Sequence, residues 1–128
     1  MDIFGEMMKR AIIVDIDGTL TLDFGGVPNK PIIDLVSRYA IDHDILILTH
    51  RPSNELGYTE EWLNENNIKY NKIWSVDDKV KFYEEFIKDN WDITFVLEDN
   101  KKNINRFRKL GVKTLEVNEQ LCLPKNIL

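Results

Sequence analysis

Four short clusters carry the side chains that could do chemistry. The first is Asp15-Ile16-Asp17-Gly18-Thr19, two carboxylates one residue apart followed by a glycine and a hydroxyl. The second is Thr49-His50-Arg51, the third Lys79 with Lys81 close by, and the fourth Glu98-Asp99-Asn100. If the fold gathers them, three or four carboxylates meet a hydroxyl and a lysine. Carboxylates crowded without partners repel one another and resist ionisation. A divalent cation relieves that repulsion, and an all-oxygen ligand set favours magnesium. An EF-hand also begins Asp-x-Asp, but it needs glycine at its sixth position and glutamate at its twelfth. Counted from Asp15, Gly18 is fourth and Gly26 twelfth, so the calcium loop is excluded.

The elements that must position these clusters are legible in the apolar pattern. Ala11-Ile12-Ile13-Val14 is a short continuous apolar run, the mark of a strand buried on both faces. Ile45 to Leu48 and Ile93 to Leu97 read the same way, Lys72 to Trp74 reads as a weaker strand, and Val112 to Val117 as a fifth. Between them run helical patterns. Pro31 can open a helix with Ile32, Leu35, Val36 and Tyr39 on one side, and Thr59 can cap one whose first turn holds Glu60 and Glu61. Asp78 to Lys88 places Val80, Tyr83, Phe86 and Ile87 together, and Asn100 to Leu110 turns Ile104 and Phe107 inward before Gly111 stops it. Residues from Asn118 onward read as a tail packed on the domain.

Strands alternating with helical crossovers predict an α/β fold, a single Rossmann-like doubly wound domain over residues 1–128. Its five-stranded parallel sheet carries helices on both faces. Ligands of such sheets bind at the carboxyl ends of the strands, near the switch in strand order. All four clusters follow a strand or open a helix at that edge. The connections are short: Leu20 to Pro31 holds no further element and Arg51 to Lys79 is filled by one helix and one strand, so no cap domain fits in either, and the site is open unless a subunit covers it.

With these motifs in order, the chain resembles the haloacid dehalogenase superfamily of phosphohydrolases, from about Arg10 to Val117. Asp15 to Thr19 match its Asp-x-Asp-Gly-Thr motif, Thr49 its strand-end hydroxyl, Lys79 its helix-start lysine, and Glu98-Asp99 its acidic pair. A closer resemblance is to the 3′-phosphatase domain of phage-type polynucleotide kinase/phosphatase. It is carried by Asn29-Lys30-Pro31, by Thr49-His50-Arg51, by Trp62-Leu63, and by the run from Trp91 through Arg106 to Val112. The chain departs from that pattern in a shorter loop after Leu20, in lacking an arginine-containing substrate segment, and in Glu98 where aspartate is usual.

The resemblance implies roles. Asp15 is the expected nucleophile, forming an aspartyl-phosphate, and Asp17 the acid and then base. Magnesium is expected between the Asp15 carboxylate, the Asp17 main-chain carbonyl and Asp99. Glu98 is expected beside it, orienting Lys79 or a metal-bound water rather than binding directly. Thr49 and Lys79 are expected to hold the phosphoryl oxygens, with Lys81 as the alternative lysine. Gly18 lets the backbone turn closely around the phosphoryl group, and Thr19 and Arg51 join the substrate contacts. Lys101 and Lys102 open the last helix, where cations oppose its dipole. Either they lie on a solvated face or they meet an anionic substrate.

Bulk properties bound the rest. The chain has 128 residues, 43% hydrophobic and 30% charged, with a formal net charge of −5. That charge argues against broad non-specific binding to nucleic acid and limits any such contact to a local patch. Cys122 is the single cysteine, so no internal disulfide forms and a reducing cytoplasm is expected. No apolar run reaches the length of a membrane span. The expected partner is a phosphorylated substrate, a nucleic-acid end or a nucleotide. The competing readings are a nucleoside 5′-monophosphatase or other small-molecule phosphatase, and a receiver-like phospho-acceptor module. A receiver's acceptor aspartate follows the third strand, where this chain has Trp74-Ser75.

Overall fold

A computed structural model of the protein describes residues 8–22 and 26–118. The strands are β1 (Arg10–Val14), β2 (Asp44–Thr49), β3 (Lys72–Ser75), β4 (Asp92–Glu98) and β5 (Thr114–Glu116). The helices are α1 (Lys30–Tyr39), α2 (Leu56–Glu65), α3 (Lys79–Phe82) and α4 (Lys101–Lys109). The strands form one sheet in the order β3-β2-β1-β4-β5, and every pairing is parallel.

The apolar runs are explained by burial on both sheet faces. Alternate residues of a strand point to opposite sides. Ile12 and Val14 of β1, Ile45 and Ile47 of β2, and Phe95 and Leu97 of β4 therefore meet Ile32 and Val36 of α1 and Leu63 of α2. Ala11 and Ile13, Leu46 and Leu48, and Val96 meet Val80 of α3 and Phe107 of α4 on the other side. Helices thus cover both faces, as the alternating pattern predicts. The chain runs from β1 outward to β3, then crosses back to β4 on the other flank of β1. The switch in strand order falls between β1 and β4. No inserted cap interrupts the described residues. Among them no helix is long and apolar enough to cross a membrane.

Several local expectations are corrected. Thr59 does not cap α2. That helix starts earlier, at Leu56, after a 3₁₀ turn over Ser53–Glu55, and Thr59 is buried inside it. Pro31 takes the second helical position of α1, one residue after Lys30, with Asn29 as the cap residue. The fifth strand is only Thr114–Glu116, because Gly111 and Val112 are still used in closing α4 onto Arg108 and Phe107. The helix expected over Asp78 to Lys88 widens after Phe82 into π-type turns over Tyr83–Ile87. The wider turn carries Phe86 out of the apolar face, leaving it exposed while Val80 and Ile87 stay buried. The expected tail lies outside the described residues, apart from Asn118.

Leu46 is wholly buried in a central strand. Leu46→Ala should cost about 2–5 kcal/mol, read as a lowered urea midpoint at unchanged slope.

Candidate active site

The carboxyl ends of β1, β2 and β4 converge at the switch point, and α3 begins beside them. Asp15 follows β1 directly and donates its backbone N–H to Leu97 O of β4 at 3.1 Å. The chain then makes one wide turn over Ile16–Leu20, closed by Thr21 N donating to Ile16 O. Gly18 sits in that turn at φ +82°. A side chain there would collide with the Asp99 carboxylate, so glycine is required by space as well as by backbone. Its part is to let Asp99 approach the turn.

Lys79 is the centre of the cluster. It is 2% exposed, and its Nζ donates to Asp15 Oδ1 at 2.6 Å and to Glu98 Oε1 at 3.0 Å. Burial alone would drive its proton off, but the Asp15 and Glu98 carboxylates reverse this and hold Lys79 above the usual lysine value. Lys81 points away; it is exposed and faces Glu85. Of the two lysines, Lys79 is the one that the fold brings to the carboxylates. Its helix is capped by Asp78, whose Oδ1 accepts from Lys81 N, and Arg106 of α4 grips both Asp78 oxygens at 3.0 and 3.1 Å. Arg106 is first of all the ion-pair partner of Asp78.

Asp15, Glu98 and Asp99 each bring an oxygen within 4.8 Å of the others. Their electrostatics differ. Burial pushes the Asp15 carboxyl well above its usual value, with Glu98 adding to the push against the pull of Lys79. Burial also raises Asp99. Burial acts to raise Glu98 too, but the Lys79 ammonium outweighs it and holds Glu98 low. Glu98 is also spoken for on every side. Besides Lys79, its Oε1 accepts from Asn103 Nδ2 at 3.3 Å, and its Oε2 accepts from the backbone N–H groups of Asp99 and Asn100. It orients Lys79 and the start of α4. Asp15 and Asp99 are the carboxylates whose charge is least compensated. An oxygen-only set with this deficit fits a hard divalent cation such as magnesium.

The remaining residues divide clearly. Asp17 lies outside the three-carboxylate cluster. Arg51 holds it in a fork, Nε to Oδ2 at 3.0 Å and Nη2 to Oδ1 at 2.6 Å. Those bonds keep the guanidinium even more firmly protonated than usual. Arg51 Nη1 reaches Thr59 Oγ1, and Thr59 donates to Glu55 O. Thr49 is buried at the end of β2, where its hydroxyl accepts from Arg51 N at 3.0 Å. Thr19 is wholly buried and gives its hydroxyl to Asp15 Oδ2 at 3.1 Å, so its side chain orients the carboxylate. Lys101 is exposed and turned toward Glu116 at 3.4 Å, and Lys102 is exposed. The pattern of the sequence does not reveal Asn103, Thr59, Ser75 or Asp78. Ser75 donates its hydroxyl to Arg51 O at 2.6 Å. The one available signal was polarity on the inward side of α2 and α4, at Thr59 and Asn103.

A family model described as the polynucleotide kinase PNKP phosphatase domain matches residues 9–120. The chain belongs to this phosphatase family. Two solved structures share its fold. A chain of a Pnkp1/Rnl/Hen1 complex superposes with a TM-score of 0.79 at 22% identity, over 87% of this chain and 46% of that one. A chain of the Pnkp1/Rnl/Hen1 RNA repair complex gives 0.79 at 20% identity, over 88% and 43%. The chain thus spans less than half the length of these proteins. No curated protein matches it.

Lys79→Met should be strongly destabilising, by about 3–5 kcal/mol, because it leaves two buried carboxylates facing each other. Lys81→Met should stay within about 0.5 kcal/mol of the unchanged protein. Thermal or urea melts of the pair check the assignment.

Proposed function

We propose that this phosphatase hydrolyses phosphate monoesters at nucleic-acid 3′ ends, through an aspartyl-phosphate on Asp15. The observation that carries the reading is the buried Asp15 carboxylate, held by Lys79 and Thr19 and facing Asp99 at the switch point. The family match over most of the chain supports the substrate class, and a domain with no inserted cap among the described residues suits a polymer end.

Asp15 Oδ attacks phosphorus as the ester P–O bond breaks. Asp17 gives a proton to the departing 3′-oxygen. In the second half Asp17 takes a proton from water, whose oxygen displaces the Asp15 carboxylate and frees inorganic phosphate. Lys79 and Thr49 bind the phosphoryl oxygens, and Lys79 offsets the negative charge of the nucleophile. Arg51 keeps one N–H on each terminal nitrogen beyond those already bonded, so it can reach substrate while it orients Asp17. Asp15, Asp99 and the Asp17 carbonyl would hold magnesium, which when bound offsets the repulsion between anionic nucleophile and anionic phosphate.

Asp15→Asn should abolish phosphate release from a 3′-phosphorylated oligonucleotide while circular dichroism shows the fold retained. Asp17→Asn should slow turnover by roughly 10²-fold or more. A chelator should stop the unchanged protein, and added magnesium should restore it. Retained hydrolysis by Asp15→Asn would sink the covalent route. A stable phosphoprotein with no turnover would favour the receiver-like reading instead.

The exposed Lys101 and Lys102 give a second check on the substrate. Their joint change to alanine should raise KM for an oligonucleotide 3′-phosphate more than for a small phosphate ester. The gap should close as salt rises.

A further inference from the structure

Resting on that reading, we infer that Tyr58 is a stacking platform for the base of the nucleotide that carries the 3′-phosphate. Six large apolar or aromatic side chains stand exposed among the described residues, and Tyr58, Leu22 and Val27 are three of them. Tyr58 is 77% exposed in the first turn of α2, at the carboxyl edge of the sheet. It packs into no core cluster.

Its position follows from bonds on both sides. The next residue, Thr59, accepts from Arg51, and Arg51 holds Asp17. One turn along the same helix face, Trp62 donates Nε1 to Gly26 O at 2.8 Å. Gly26 precedes Val27, whose carbonyl accepts from Leu22 N at 2.8 Å. Tyr58 therefore stands on the helix face that meets Gly26, and it is next in the chain to Thr59, the anchor of the Asp17–Arg51 pair.

The chemistry sets the direction in which the substrate extends. An acid that protonates the leaving oxygen lies on the leaving-group side of phosphorus. At a nucleic-acid 3′ end that oxygen belongs to the sugar, and the base is attached to the same sugar. The base thus leaves the site on the side of Asp17, Arg51 and Thr59, and the exposed ring next in the chain to Thr59 is that of Tyr58. Every base has a π-face, so such a platform is tolerant of sequence and raises affinity without reading it. A platform also suits an acidic chain, since it needs no added positive charge.

The test uses steady-state kinetics on two oligonucleotide 3′-phosphates, one intact and one whose terminal nucleotide lacks its base. Tyr58→Ala should raise KM about tenfold on the intact substrate with kcat little changed. On the abasic substrate Tyr58→Ala and the unchanged protein should have the same KM, and Tyr58→Phe should behave as wild type on both. Unaltered KM on the intact substrate would overturn the platform, as would an equal rise on both substrates. If the unchanged protein turned over neither oligonucleotide, the proposed substrate class would fall and this inference with it. Turnover insensitive to Tyr58 would remove the platform alone.

Discussion

The structure depends on one buried ammonium. Lys79 lies between the carboxylates of Asp15 and Glu98, out of water. Two carboxylates buried this close cannot both stay ionised without a cation. Their attraction for Lys79 in turn keeps the lysine charged in a place that would otherwise neutralise it. Neither side is tenable alone, so three elements distant in sequence are fixed to one point. Asp78 and Arg106 extend the arrangement outward. The first caps the helix that presents Lys79, and the second ties that cap to α4, which starts just after Asp99.

The cluster is also asymmetric. Glu98 uses both oxygens on the lysine, an amide side chain and two backbone N–H groups at the start of α4. The extra methylene of glutamate gives it the reach to serve the lysine and its own following backbone together. Asp15 and Asp99 are left with charge that burial disfavours. One carboxylate therefore serves architecture, and two keep capacity for a ligand. Asp17 belongs to a separate pair with Arg51, so Asp15 and Asp17 are held by different cations.

The fold was legible because both faces of the sheet are covered. β1, β2 and β4 had to be continuous apolar runs, and the helices between them had to be one-sided. The strand-end motifs were legible because side chains at the ends of parallel strands meet at one edge. What escaped was set by contacts between elements. Nothing local marks Thr59 as a partner of Arg51 rather than a cap, because the turn over Ser53–Glu55 had already started the helix. Nothing local marks the widened turn that expels Phe86. The choice between Lys79 and Lys81 turned on which faces inward, which two lysines two residues apart do not disclose. Arg106 and Asp78 are ordinary surface residues until the packing of α3 on α4 pairs them.

The strand order has a consequence for how the protein is made. Of the five strands β1 leaves the ribosome before the others and lies at the centre of the sheet, but one of its two neighbours is β4. Its partner on that flank emerges roughly eighty residues later, several seconds at about 5–20 residues per second. In that interval β1, β2 and β3 can pair, while the far side of β1 offers unbonded backbone along a very apolar strand. Such an edge invites pairing with another chain. Asp15, Lys79 and Glu98 cannot meet before β4 closes it. The edge exposed on the nascent chain is thus closed in the same step that brings these three charges together.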